Sequence, residues 1–265
     1  MRLSWLTDIH FDFLEIDQIS AFLLAVRALE TDGILISGDI GLAKNVREFL
    51  RMIEYALPVP IYFVLGNHDF YGSSIALVKA AISTLASASS RLNWLPDVGI
   101  IELSATTALI GHDGWADGRL GNYARSSVEL TDYALIKEFI GADKNQRLRL
   151  LNALGDEAAA YFQQVLPTAL ARYQNVVLVT HVPPFREACW HEGRISNDDF
   201  LPHFGCKVVG EVLLAIMRQH PDKQLTVLCG HTHGRGEAHP LPNLHVFTGG
   251  ADYGKPEVQR IIEIG

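Results

Sequence analysis

The chain has 265 residues, 48% hydrophobic and 20% charged, which is enough for one large α/β core and too apolar for a disordered polypeptide. Its formal charge of -8 argues against non-specific nucleic-acid binding, which needs a net basic face; an anionic substrate stays possible, because bound metal ions dominate a local field. Cys189, Cys206 and Cys229 offer no disulfide framework, no basic-then-apolar leader is present, and no apolar run approaches the roughly 18 residues of a membrane span, so a cytoplasmic protein without a membrane partner is expected.

Taken in order, the pattern predicts a strand at Arg2–Thr7 and a helix at Asp17–Leu29, whose Ile19, Phe22, Leu23, Val26 and Leu29 form one apolar stripe. A strand at Gly33–Ser37, a helix at Asn45–Ala56 and a strand at Pro60–Leu65 complete a βαβαβ unit, the sign of a parallel sheet. A third helix is expected at Ser74–Ala86, with shorter strands at Gly99–Leu103 and Thr107–Ile110. Between Gly111 and Gln174 the grammar becomes helical: Thr131–Ile140, then Asn145–Tyr173 broken at Gly155 and Pro167. Strands return at Val176, Leu225, Leu244 and Val258, with a helix at Val208–Arg218. No linker marks a second domain, so residues 1–265 read as a single domain with a helical insertion or flanking layer at about 111–174.

Five apolar runs end in Asp, Asn or His: Asp8 and His10, Asp39, Asn67, His181, and His231 with His233. In open α/β sheets ligands collect beyond the carboxyl ends of the strands, so these residues are expected to converge. His231 and His233 would project the same way from extended backbone. Seven oxygen or nitrogen donors exceed a single four-coordinate zinc site and suit two metals sharing one carboxylate, with Asp39 the natural bridge. Two carboxylates against two divalent ions leave about two positive charges for hydroxide and an anionic substrate, a balance suited to phosphoryl transfer.

The ordered set Asp8-Ile-His10, Gly38-Asp39, Gly66-Asn67-His68-Asp69, His181 and Gly230-His231-Thr232-His233 resembles the calcineurin-like metallophosphoesterase family. The resemblance implies an α/β fold, a four-layer α/β/β/α sandwich of the metallophosphoesterase type. It implies that Asp8, His10, Asp39 and His233 hold one ion and Asp39, Asn67, His181 and His231 the other, both divalent or as a mixed-valence pair of Mn, Fe or Zn. In such enzymes a metal-bound hydroxide attacks phosphorus in line. His68 would contact the phosphate and act as general acid, with Asp69 orienting its ring. Loops bordering the pocket in related proteins make Trp115, Phe185 and His191 candidate substrate contacts, with His112 a weaker one; Arg119, Arg186, Arg194 and Arg235 are candidate phosphate ligands.

Protein Ser/Thr phosphatases carry an Arg soon after the Gly-Asp and a Glu after the Asn-His; this chain has Ile-Gly-Leu-Ala-Lys after Asp39, and Asp69. Protein dephosphorylation is therefore disfavoured, and the arrangement resembles the small bacterial-type phosphoesterases acting on phosphodiesters or nucleotides, which implies a phosphorylated small-molecule or nucleotide substrate, with a phosphomonoesterase as the alternative. A non-catalytic scaffold of the same fold would have lost ligands, and all are present. A plain nucleotide-binding module would need a Gly-rich turn after the first strand, and Asp8-Ile-His-Phe-Asp12 has no glycine.

Overall fold

The computed structural model describes residues 1–265. β1 (Arg2–Leu6) leads through a 3-10 turn at Phe11–Phe13 into α1 (Ile16–Arg27), which starts where Glu15 and Gln18 satisfy each other's backbone amides in a capping box. β2 (Gly33–Ser37), α2 (Val46–Ala56), β3 (Ile61–Val64) and α3 (Ile75–Ser87) continue the alternation; the Ser74 hydroxyl caps α3 by accepting from the Leu77 amide. Next come β4 (Leu92–Trp94), the single turn α4 (Leu95–Val98), β5 (Ile101–Glu102), β6 (Thr107–His112), the single turn α5 (Asp132–Leu135) and the long helix α6 (Lys144–Arg172). The chain ends with β7 (Asn175–Thr180), the small hairpin β8 (Trp190–His191) and β9 (Arg194–Ile195), α7 (Leu201–Phe204), α8 (Lys207–Gln219), β10 (Gln224–Cys229), β11 (Gly236–Leu241), β12 (Leu244–Thr248) and β13 (Arg260–Glu263). No helix is long and apolar enough to cross a membrane.

Two sheets form, in the orders β13-β1-β2-β3-β4 and β11-β12-β10-β7-β6-β5. The strands β1 to β4 pair in parallel, as do β6, β7, β10 and β12, while β13, β5 and β11 pair antiparallel. Alternation along each strand then decides the layers. Leu3, Trp5, Leu35, Tyr62 and Val64 of the first sheet pack against Leu109, Val177, Val179 and Leu228 of the second in one buried cluster. The intervening residues Leu6, Ile34, Ile36, Ile61 and Phe63 face the helices α1 to α3. On the far side Ala108, Ile110, Val176, Leu178, Leu225 and Val227 face α6 and α8. This is a four-layer α/β/β/α sandwich, and burial on both faces explains why these strands read as continuous apolar runs.

Several elements differ from the sequence expectation. Gly155 and Pro167 lie inside an unbroken α6, where Phe162, Leu166, Ala169 and Leu170 are fully buried and offset the roughly 3 kcal/mol that an internal proline costs. The helix expected at Thr131–Ile140 is only the turn α5, and the strand expected at Gly99–Leu103 shrinks to β5. β4, β8, β9 and β11 carry no clear periodicity and were not expected.

Gly155 is there for close approach. An added Cβ would lie 2.5 Å from the Asp117 Cβ, and Asp117, fully buried, accepts the Val208 amide at the start of α8. Alanine inside a helix normally gains about 0.5–1 kcal/mol over glycine. Gly155→Ala is instead expected to destabilise the fold by about 1–3 kcal/mol through overpacking, read as a lower urea midpoint; an unchanged or raised midpoint contradicts this packing.

Candidate metal centre

The candidate ligands stand just beyond the carboxyl ends of five strands: Asp8 and His10 after β1, Asp39 after β2, Asn67 after β3, His181 after β7, His231 and His233 after β10. Seven non-glycine residues have positive φ, and five of them are Asp8 (47°), His10 (41°), Asp39 (53°), His231 (69°) and His233 (58°). Each left-handed residue costs about 1–2 kcal/mol, so the strand ends are bent against local preference to aim these side chains inward. Extended backbone is therefore not what places His231 and His233. Their left-handed turns send the two rings to different clusters. Glycines make room for this: a Cβ on Gly66 would run into the Asp39 carboxylate, and one on Gly230 into Asp8 and the Thr7 hydroxyl.

In the first cluster, ligand atoms of Asp8, His10, Asp39 and His233 all lie within 4.8 Å of one another. The His10 and His233 Nε2 atoms face each other at 3.2 Å, with Asp8 Oδ1 3.4 Å from His233 and Asp39 Oδ2 3.7 Å from His10. The Thr7 hydroxyl and the His231 amide donate to Asp8 and fix its carboxylate.

The second cluster gathers acceptors with no donor between them. His181 Nδ1–H donates to the Ser37 carbonyl at 2.8 Å, which leaves Nε2 as the inward lone pair. His231 Nε2–H donates to the His203 carbonyl at 2.9 Å, which leaves Nδ1. The Asn67 amide group donates to Asp132 Oδ1 at 2.8 Å, so its Oδ1 points inward, 3.0 Å from His181 Nε2 and 2.9 Å from His231 Nδ1. Asp39 Oδ1 lies 3.5 Å from His181 Nε2. Three converging acceptors beside a carboxylate require an electrophile.

In the metal-free chain a proton serves in part. Burial opposes protonation of His181, but Asp39, Asp8 and the Ser37 carbonyl outweigh it and push its pKa up to about 10. At His10 burial prevails over the same carboxylates and pulls the pKa down to about 4. His233 is raised as well, burial being outweighed by Asp8 beside it; a proton in either cluster bridges only a pair of donors, whereas one cation in each matches the full donor set. Asp39, buried between them, directs one oxygen to each.

His68 stacks on Tyr71 with ring centroids 4.3 Å apart and meets the His10 ring edge-on at 4.6 Å. Asp69 does not orient it, contrary to the sequence expectation: its carboxylate accepts from the amides of Ile40, Gly41 and Gly66 and ties the loops after β2 and β3 together. Over the clusters opens a cleft of about 250 Å³ bordered by His68, Tyr71, Asp132, His191, Phe204 and Tyr253. His191 stands at this cleft with its Nδ1 donating to the Thr232 carbonyl. The other two candidate contacts need correction. Trp115 is packed between Phe70 and Phe139, and Phe185 lies in the core beneath α8 against Gly210. His112 is buried, with its Nδ1 accepting the Gly114 amide. Arg119, Arg186, Arg194 and Arg235 pair with Asp117 and Asp156, Asp198, Glu192 and Glu257, and none borders the cleft. Tyr71, Asp132, His203 and Tyr253 are site residues that no sequence signal marked.

The sequence matches the family model described as calcineurin-like phosphoesterase over residues 1–235. No curated protein matches it. Similar solved structures include a phosphopantetheinyl hydrolase from Mycobacterium tuberculosis, 13% identical with a TM-score of 0.68 over 94% of this chain and 89% of that one. A dimetal phosphatase from Danio rerio is 16% identical, with a TM-score of 0.59 over 94% of this chain and 86% of that one. At these identities the likeness is one of fold.

Because Asp39 serves both clusters and Asn67 only one, Asp39→Asn is expected to lower metal content at both positions. Asn67→Ala should weaken the second alone, by at least the roughly 10–100-fold that loss of an outer partner costs. Elemental analysis of the purified variants reads this directly, and Asp39→Asn protein retaining two ions per chain contradicts the bridging assignment.

Proposed function

The chain belongs to the calcineurin-like phosphoesterase family, and on that premise we propose that it is a dinuclear metal-dependent hydrolase of a phosphodiester or nucleotide-type substrate. The observation that carries the diester reading is the lining of the cleft: it holds four histidines, two tyrosines, Asp39 and Asp132, and no lysine or arginine. A monoester dianion needs more positive charge than a diester monoanion. Here that charge would have to come from ions held by the two clusters.

Divalent ions in this donor set supply Lewis acidity toward a phosphoryl oxygen and lower the pKa of water. Imidazole with carboxylate suits zinc, iron or manganese. The chain's own residues do the rest. His191, with its Nδ1–H committed to the Thr232 carbonyl, turns Nε2 to the cleft as a phosphate contact. His68 has its Nδ1 buried without a partner, so the proton for the leaving oxygen moves at Nε2. The Tyr71 stack holds that ring, and the His68 amide, donating to Asp39 Oδ1 at 2.9 Å, fixes its backbone to the bridging carboxylate.

His68→Ala is expected to keep both metals and lose turnover by about 10²–10⁴-fold, less for leaving groups that need no protonation. Equal losses for aryl and alkyl leaving groups would assign His68 to phosphate positioning instead. For substrate class, kcat/KM of matched aryl diesters should equal or exceed that of monoesters in the same metal form. A monoester preference above about tenfold, roughly 1.4 kcal/mol in transition-state binding, rejects the diester reading and favours a phosphomonoesterase with the same centre.

A further inference from the structure

One carboxylate at the cleft belongs to neither cluster. Asp132 lies on α5, in the irregular segment between β6 and α6, and is only 3% exposed. It borders both the cleft and a small closed cavity behind the second cluster, whose other walls include Trp115, His181, His203 and His231. Its Oδ1 accepts two hydrogen bonds, from the Asn67 amide group at 2.8 Å and from the Tyr71 hydroxyl at 2.5 Å. Both lone pairs of this oxygen are thereby committed as acceptors. No lysine or arginine lines either space beside it.

A buried carboxylate without a lysine or arginine beside it is costly, and ions held by the donors on the other side of Asn67 would supply compensating charge. Two divalent ions held there would bring four positive charges, of which Asp8 and Asp39 offset two and Asp132 a third from one amide group away. About one positive charge would then be left for hydroxide and substrate together, so a monoester dianion adds one more uncompensated negative charge among buried carboxylates than a diester monoanion does.

Resting on the phosphoesterase reading above, we propose that Asp132 is a specificity-determining residue: its carboxylate, held at the cleft wall by Asn67 and Tyr71, shifts the site's preference toward phosphoryl groups of one negative charge and away from those of two. The Asp132→Asn side chain keeps an oxygen to accept from Asn67 and loses the charge. Asp132→Glu keeps the charge and alters only reach. The comparison uses full-length protein saturated with manganese, with metal content checked by elemental analysis.

Two ratios are read for wild type and both variants. The first is kcat/KM of a matched aryl monoester over the diester; the second is the affinity of inorganic phosphate, at a pH where it is mainly the dianion, over that of dimethyl phosphate. Asp132→Asn is expected to raise both ratios by about tenfold or more, the scale of one charge acting across a few ångströms in a partly screened site. Asp132→Glu should leave both within about twofold of wild type if charge, not shape, selects. Unchanged ratios in fully metallated Asp132→Asn, or equal changes in both variants, overturn the proposal. A wild-type preference for monoesters would contradict the diester reading but not this one, which is read from the change on substitution. If no ester is hydrolysed, the phosphoesterase reading fails and the binding ratio still tests Asp132.

Discussion

The carboxylate of Asp39 is the point on which the two sheets' contributions meet. It stands at the end of β2 in the first sheet, with Oδ2 toward His10 of the same sheet and Oδ1 toward His181 of the second. Burial opposes its charge, yet the surrounding histidines His181, His68 and His10 hold its carboxyl well below the usual carboxylate range. Five left-handed residues and the glycine positions at Gly66 and Gly230 exist so that donors can crowd around this group. At about 1–3 kcal/mol for each strained residue, the arrangement persists only where the rest of the structure over-determines it. Cations bound to the native state alone would add to that support.

The sheets supply the clustered donors, but the irregular segment between β6 and α6 supplies what orients them. His203 shows how indirect this is. Its backbone carbonyl fixes the tautomer of His231, and its ring is held by Tyr133 and Ser126 from that segment, at 2.5 and 3.0 Å. Burial pulls the His203 pKa down to about 4, so the ring is neutral, with Nδ1 accepting from the Tyr133 hydroxyl and Nε2 donating to Ser126. Asp132, from the same segment, does the equivalent for Asn67. A stretch with little regular structure thus sets the lone-pair directions of two donors in the second cluster.

The residues of the two clusters were legible in the sequence because each follows an apolar run and sits in a local motif, such as Gly230-His231-Thr232-His233. Period two predicts the convergence of His231 and His233 but not their local geometry, since both residues lie beyond the strand in left-handed backbone. Trp115 and Phe185 were misassigned for a plain reason: an aromatic residue after a strand has the same sequence signature whether it faces solvent, substrate or core. Asp132 and Tyr253 were invisible, because only tertiary folding brings α5 and the turn before β13 to the cleft. Gly155 and Pro167 read as breaks, and the packing of α6 against its neighbours overrides both. The four layers were reached through the family resemblance, and the strand alternation now accounts for them.

The central claim is that two metal ions occupy these donors and share Asp39. Anomalous X-ray diffraction from crystals of manganese- or zinc-loaded protein tests it most directly. The account predicts two peaks about 3.5–4 Å apart, one among Asp8, His10, Asp39 and His233 and the other among Asp39, Asn67, His181 and His231. A single peak in fully loaded protein, or ions bound away from these side chains, would contradict it.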